Sequence, residues 1–315
     1  MYEVYGITLS LPEEVARGLT ETNNKTTDIY IKPSSTKLYS SNKVVWYETW
    51  KGVNSGIVLS FGKRDDKWFV LDFHTDGVVF TISPDCSEIY YWAPTQKAKE
   101  EVRHLLLNTV IPLVMNHKNI ETLHASSVLT SKGAIAFIGG SGDGKSTIAA
   151  SLIQKGFHLV SDDKIPLYLH GEKIFIKSGP PEMNLWPRVR EALNLKTIIQ
   201  ESQKKIFTSF TTLQHAAGSF PLVQIYFLNP IKEISPAAIT SISKKEALYE
   251  LIKNAQILDA SDFNILKRLF LNLSQVTKHV PAKTLTYPKG IPNIEELSKI
   301  LLLDINANER LTLIA

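Results

Sequence analysis

The fold is decided by residues 134–147, which read Ala-Ile-Ala-Phe-Ile-Gly-Gly-Ser-Gly-Asp-Gly-Lys-Ser-Thr. The apolar run Ala134 to Ile138 is typical of a buried strand, and the pattern from Ser146 to Gly156 is helical, with a glycine in the position of a helix stop. Between them, residues 139–146 match G-x-x-x-x-G-K-[ST] at every position. A strand, this glycine loop and a helix in that order predict a P-loop (Walker A) core of the α/β class.

The chemistry of such a loop follows from its residue types. Glycines allow successive amide groups to point inward at one anion, and the N-terminus of the following helix favours negative charge. Lys145 adds a mobile positive charge for the β- and γ-phosphates, and the Ser146 hydroxyl can ligate Mg²⁺. The predicted nucleotide-binding residues are Gly139, Gly140, Ser141, Gly142, Asp143, Gly144, Lys145, Ser146 and Thr147. The same loop serves ATPases, GTPases and small-molecule kinases, so it does not decide the reaction.

Two carboxylates follow the next predicted strand. His158 to Val160 leads into Ser161, Asp162 and Asp163, and we expect this strand beside the P-loop strand, with the carboxylates at its carboxyl end. One carboxylate can hold Mg²⁺ while the other accepts the proton of an attacking hydroxyl. An Asx-type turn that merely closes the strand is the structural alternative.

A histidine precedes the loop. His124 lies in a predicted short strand from His124 to Val128, and it can reach the phosphates or the acceptor if that strand lies beside the P-loop strand. An ordinary packed or surface histidine is the alternative. The sequence has no Asn-Lys-x-Asp segment, which GTPases use to select guanine, so we expect ATP as the nucleotide.

The first 96 residues have a different pattern from the rest. Short β-type runs separated by turns predict an antiparallel sheet, and they are Val44 to Trp50, Gly56 to Phe61, Trp68 to Phe73, Val78 to Ile82 and Glu88 to Trp92. From Lys97 the spacing is helical, and we expect this helix to join the two parts. The predicted organisation is a small β-rich domain over residues 1–96 and a P-loop domain over residues 97–315.

Composition excludes several classes of protein. Lys and Arg number 35 against 31 Asp and Glu, without a long basic run, so we expect no nucleic-acid partner. The most apolar segment, Leu105 to Met115, has 11 residues and is too short to span a membrane, which takes roughly 20. Cys86 is the only cysteine, and the N-terminus lacks a signal-peptide pattern, so we expect a cytoplasmic protein that needs no processing.

With these residues in view, the stretch from His124 to Trp186 resembles the HPr kinase/phosphorylase family, whose P-loop core is similar to that of phosphoenolpyruvate carboxykinases. The matching segments are residues 124–128 (His-Ala-Ser-Ser-Val), 134–147 and 156–163 (Gly-Phe-His-Leu-Val-Ser-Asp-Asp). The resemblance implies a P-loop core with a mixed sheet and flanking helices. It also implies that Asp162 is the general base, that Asp163 lies near the metal and that His124 lies near the phosphates.

Outside that stretch, three segments resemble the HPr-kinase-like tailoring enzymes of lasso-peptide biosynthesis, which phosphorylate a serine of a precursor peptide, typically the C-terminal one. They are residues 2–9 (Tyr-Glu-Val-Tyr-Gly-Ile-Thr-Leu), 185–187 (Leu-Trp-Pro) and 285–290 (Leu-Thr-Tyr-Pro-Lys-Gly). The chain lacks the Leu-Glu-Val-Arg-Gly-type segment of the regulatory HPr enzyme. The implied activity is a Mg·ATP-dependent peptide serine kinase. A kinase of free serine or of an HPr-like protein, and a regulatory nucleotide-binding module without phosphotransfer, remain alternatives, and a homo-oligomer stays open.

Two further candidates each have two interpretations. Lys204 and Lys205 can supply charge to the transferred phosphoryl group or lie on a solvated loop. Trp186 follows a proline-containing loop and can either face the substrate or anchor the loop by burial.

Overall fold

In the computed structural model of this chain, helices flank two large mixed sheets. The structure describes residues 1–40, 43–52, 56–194, 198–202, 205–209, 215–233, 235–260, 262–290 and 294–312, and only the backbone at 184, 198–202, 205–209 and 308–312. The predicted α/β class is confirmed. No helix within these ranges is long and apolar enough to cross a bilayer.

The chain divides into two compact units. The first contains Met1–Ile120 and Gln256–Arg268, and the second contains Glu121–Ala255 and Leu269–Ala315. The sequence placed a boundary at residue 96, whereas these units divide after Ile120. The physical reason is that the helices after residue 96 bury apolar side chains, such as those of Val102, Leu106 and Val114, in the core of the first unit.

The first unit is built on a nine-stranded sheet in the order β3-β1-β2-β4-β9-β8-β7-β6-β5. Its strands are β1 (Tyr2–Val4), β2 (Ile7–Ser10), β3 (Thr20–Glu21), β4 (Ile29–Pro33), β5 (Val44–Gly52), β6 (Gly56–Arg64), β7 (Phe69–Phe73), β8 (Val78–Ile82) and β9 (Glu88–Trp92). The helices are α1 (Glu13–Ala16), α2 (Gln96–Leu105), the π-helical segment Leu106–Val110 and α3 (Ile111–His117).

The predicted antiparallel sheet is confirmed for β5 to β9, which pair in chain order. The complete sheet is nevertheless mixed, because β4 pairs in parallel with both β2 and β9. The strands β1 to β4 have between two and five residues each, which is too short for a clear alternating pattern in the sequence.

The second unit holds the P-loop. Its main sheet has the order β10-β14-β15-β19-β12-β11-β13, with β21 paired to β19 and β20 paired to β21. The strands of this sheet are β10 (Glu121–Leu123), β11 (Ala125–Thr130), β12 (Gly133–Ile138), β13 (His158–Ser161), β14 (Ile165–His170), β15 (Lys173–Lys177), β19 (Ser219–Ile231), β20 (Ala238–Ser241) and β21 (Ala282–Pro288).

Helices and a small sheet complete this unit. The three-stranded sheet has the order β16-β18-β17, with β16 (Glu182–Asn184), β17 (Ile198–Ser202) and β18 (Lys205–Ser209). The helices are α4 (Lys145–Ile153), α5 (Pro187–Ala192), α6 (Lys244–Lys253), α7 (Phe263–His279), which begins in the first unit, and α8 (Ile294–Thr312). Side chains of α4 and α8, including Ile148, Leu152 and Leu301, share one buried core with the sheet.

The order and direction of the strands determine which strand ends lie at the same edge of the main sheet. The strands β12, β19 and β21 are parallel, and β11 runs antiparallel to both β12 and β13. The carboxyl ends of β12 and β13 therefore lie at the same edge of the sheet. However, β13 does not lie directly beside β12 as the sequence predicted. The strand β11 lies between them and pairs with both.

Candidate active site

The phosphate loop connects β12 to α4. Gly142 and Gly144 have φ angles of +83° and +98°, in the left-handed region that residues with a side chain rarely adopt. Gly144 is also the N-cap of α4, so the first amides of that helix face the loop. The Asp143 carboxylate accepts a 2.5 Å hydrogen bond from the amide of Gly140. The loop is thus a compact turn that is closed by its own acidic residue.

Lys145 lies across this loop. Its ammonium group donates hydrogen bonds of 2.9 Å to the carbonyl oxygens of Gly139 and Gly140, and the residue is only 6% exposed. Burial lowers the pKa of Lys145 from its ordinary value, and the neighbouring carboxylates of Asp163, Asp143 and Asp162 oppose that shift. A positive charge is therefore held in a partly desolvated position among three carboxylates.

Asp162 contacts the P-loop helix directly. The Ser146 hydroxyl donates a 2.8 Å hydrogen bond to Oδ1 of Asp162, and the Ser126 hydroxyl donates to the same oxygen. Both Asp162 and Ser126 are buried, and the pairing of Ser127 with Ser161 holds their two strands in this register. The carboxylate predicted to accept a proton thus lies beside the hydroxyl predicted to hold Mg²⁺.

The acidic pair lies in a tight turn that is centred on Asp163. The amide of Lys164 donates a 2.8 Å hydrogen bond to the carbonyl of Asp162, and the intervening Asp163 has a φ of +67°. Such three-residue turns with positive φ are rare and strained, and strain of this kind clusters at functional sites. The Ser161 hydroxyl fixes the turn with a 2.5 Å hydrogen bond to the carbonyl of Lys164.

Asp163 lies between two basic side chains. Its Oδ1 is 3.4 Å from Nε2 of His124, and its Oδ2 is 3.0 Å from the ammonium group of Lys164. His124 directly precedes β11, where Ala125 pairs with Ile138, the last residue of β12. The expected proximity of the histidine strand to the P-loop strand is therefore seen, and the structure brings His124 to the acidic pair. Its catalytic role stays a prediction.

Three residues of this site were not found from the sequence. Ser126 lies inside a segment that carried the family resemblance and Lys164 directly follows another, but nothing in the pattern indicated a role for either. Tyr287, on β21, donates a hydrogen bond to the carbonyl of Asp143 in the loop. This contact joins residues 144 positions apart in the chain. Tyr287 lies in the segment 285–290 quoted above for its resemblance, but that resemblance assigned it no role at the phosphate loop.

The residues present fit a magnesium ion shared with phosphates. The Ser146 hydroxyl and the carboxylates of Asp162 and Asp163 are oxygen donors, the type that Mg²⁺ prefers. Among the described residues no cluster of three or more His, Cys, Asp or Glu side chains is placed to hold a metal. In phosphoryl-transfer sites Mg²⁺ is usually held by one or two carboxylates together with substrate phosphates, so this donor set suffices.

The structure decides the interpretation of Trp186 but not that of Lys204 and Lys205. Trp186 is 67% exposed, so the interpretation as a buried anchor is wrong, and the neighbouring Met183 and Leu185 are the residues that are buried in the core. Lys204 lies outside the described residues, and only the backbone of Lys205 is described.

Comparisons with known proteins give little beyond this geometry. No described protein family and no curated protein match the sequence. Among solved structures, the Hpr(Ser) kinase/phosphatase from Coxiella burnetii matches 62% of this chain and 99% of its own, at 13% identity and a TM-score of 0.31. A match of this quality carries neither an activity nor a substrate over to this chain.

Proposed function

We propose that this chain is an ATP-dependent kinase that transfers the γ-phosphoryl group to a serine hydroxyl of a peptide. The observation that carries the proposal is the contact between Ser146 and Asp162, which joins the P-loop helix to the acidic pair at one edge of the sheet. P-loop proteins that are not kinases also place a carboxylate beside the loop serine to hold Mg²⁺, so the transfer assay below decides between phosphotransfer and nucleotide binding alone.

Each residue of the site has a proposed task. The loop amides and Lys145 bind and orient the phosphates, and their positive charge stabilises charge that develops on the transferred group. Ser146 and Asp163 would hold Mg²⁺, which supplies further charge neutralisation when bound. Asp162 accepts the proton of the attacking hydroxyl, and the hydrogen bonds from Ser126 and Ser146 fix its orientation. His124 orients Asp163, whose Oδ1 is 3.4 Å from its Nε2.

The proposed acceptor is the C-terminal serine of a lasso-peptide precursor. Its support is the sequence resemblance at residues 2–9, 185–187 and 285–290, together with the exposure of Trp186. An exposed tryptophan next to a well-packed segment offers a large, rigid contact surface, which is typical of residues that anchor peptides. We also propose a cytoplasmic location, where free thiols such as that of the buried Cys86 stay reduced.

The test is transfer of label from γ-labelled ATP with Mg²⁺ to a panel of serine-terminated peptides, free serine and HPr. Lys145→Ala and Asp162→Ala are assayed beside the wild type, with Lys173→Ala as a surface lysine control on β15. We expect label on a peptide, lost in the first two variants and kept in the third. Label on free serine or on HPr alone would show that this molecule, and not a peptide, is the acceptor. ATP binding without transfer to any acceptor would refute the kinase proposal.

A further inference from the structure

Tyr287 is brought to the phosphate loop by the parallel strands of the second unit. The strand β21 pairs with β19, and β19 pairs with β12, all in the same direction. Tyr287, one residue before the end of β21, therefore lies at the edge where β12 runs into the loop. Its side chain is buried, with 4% exposure, and its hydroxyl donates a hydrogen bond to the carbonyl of Asp143.

Asp143 is consequently held at two points. Its backbone carbonyl accepts from Tyr287, and its carboxylate accepts from the amide of Gly140. Gly142 and Gly144, on either side of it, are the two loop residues with positive φ, where the backbone is least restricted by side chains. Fixing the residue between two glycines removes conformational freedom that phosphate binding would otherwise have to remove.

The hydroxyl of Tyr287 is also suited to act as a lasting donor. Burial raises the pKa of Tyr287, and the nearby Asp143 carboxylate raises it further. A tyrosine with an ordinary pKa is already protonated at physiological pH, and this shift makes loss of the proton still less favourable.

We infer that Tyr287 is a positioning residue for nucleotide binding, because its hydrogen bond to the Asp143 carbonyl holds the phosphate loop in its binding conformation before the nucleotide arrives. This inference rests on the proposed function. It assigns to β21 a part in the ATP site that the P-loop motif itself does not contain.

The chain offers a matched control. Tyr226 on β19 is also buried, and its hydroxyl donates a 2.7 Å hydrogen bond to Asp304 in the same unit. Tyr287→Phe and Tyr226→Phe each remove one buried phenol hydrogen bond and preserve the ring, so both should fold and lose similar stability. Only the first removes a contact with the loop.

The experiment measures two properties of the wild-type chain and of both variants. The first is hydrogen exchange of residues 139–147 without nucleotide, and the second is the Kd for ATP with Mg²⁺ by calorimetry. We expect Tyr287→Phe to exchange faster in this segment and to bind ATP about three- to tenfold more weakly, the loss of one net hydrogen bond. Tyr226→Phe should change neither property.

The outcomes are separable. Unchanged exchange and affinity in Tyr287→Phe, or equal changes in both variants, would overturn the inference and leave the proposed function standing. Absence of ATP binding by the wild-type chain would overturn the proposed function and, with it, the role of Tyr287 in nucleotide binding.

Discussion

The ammonium group of Lys164 lies 3.0 Å from Oδ2 of Asp163, and the lysine side chain is only 7% exposed. Lys164 also acts electrostatically on Lys145, so two buried lysines share the surroundings of the acidic pair. Only the lysine of this ion pair is buried, since the Asp163 side chain is 26% exposed, and Lys164 approaches Asp163 from its buried side. The orientation of Asp163 should therefore depend on Lys164.

We expect Lys164→Met to lower kcat for phosphotransfer by more than about tenfold, because Asp163 loses the ammonium group that orients it. Lys173→Met, which removes a charge from the exposed lysine on β15, is the matched control and should keep the wild-type rate. Steady-state kinetics of both variants with saturating ATP measure the difference. Equal rates in the two variants would show that Lys164 is only structural.

We expect Asp163 to contribute to the binding of Mg²⁺. In Asp163→Asn, the concentration of Mg²⁺ that gives half of the maximal rate should rise by about tenfold or more, because a charged oxygen donor has been replaced by a neutral one. A Mn²⁺ titration of the protein with a non-hydrolysable ATP analogue bound, followed by electron paramagnetic resonance, provides a readout that does not depend on activity. Unchanged Mn²⁺ binding and Mg²⁺ dependence would remove Asp163 from the metal site.

We expect Trp186 to contribute to the binding of the peptide acceptor. Trp186→Ala should lower kcat/KM for a peptide acceptor by about tenfold, while the KM for ATP and the melting temperature stay close to wild type, because this side chain is exposed and supports no core. Tyr249→Ala is the control, since Tyr249 is a similarly exposed aromatic residue, at 63%, on α6 of the same unit. A similar effect in both variants would argue against a peptide contact at Trp186.

Cys86 provides a test of the fold of the first unit. Burial raises the pKa of its thiol from 9.0 to about 11, and the residue is 2% exposed. Since the thiolate is the reactive form, this shift alone should slow alkylation at pH 8 by roughly 100-fold relative to unfolded protein. Labelling rates with iodoacetamide in buffer and in denaturant measure the ratio. Equal rates would show that Cys86 is not buried.

The parts of the fold and site that could be predicted are those set by local sequence. The run from Ala134 to Thr147 determines a strand, a left-handed glycine turn and a helix start within one segment, and the structure has all three. The acidic pair was found for the same reason, since it follows a short apolar strand.

The rest depends on contacts between distant parts of the chain. The position of β11 between β12 and β13 decides that Ser126 reaches Asp162, and the parallel addition of β21 decides that Tyr287 reaches Asp143. A local pattern carries no information on strand order. Similarly, the helices after residue 96 have a helical spacing that does not reveal which sheet their apolar faces pack against.

The central claim is that one site both binds ATP and transfers its γ-phosphoryl group through Asp162. The most direct measurement compares wild type with Asp162→Asn, with the Kd for ATP and the single-turnover rate of label transfer to a serine peptide determined on the same samples. The account predicts a Kd within about threefold of wild type and a transfer rate lower by about 10² or more, the usual contribution of a general base. A transfer rate unaffected by Asp162→Asn, or no transfer by the wild type, would contradict it.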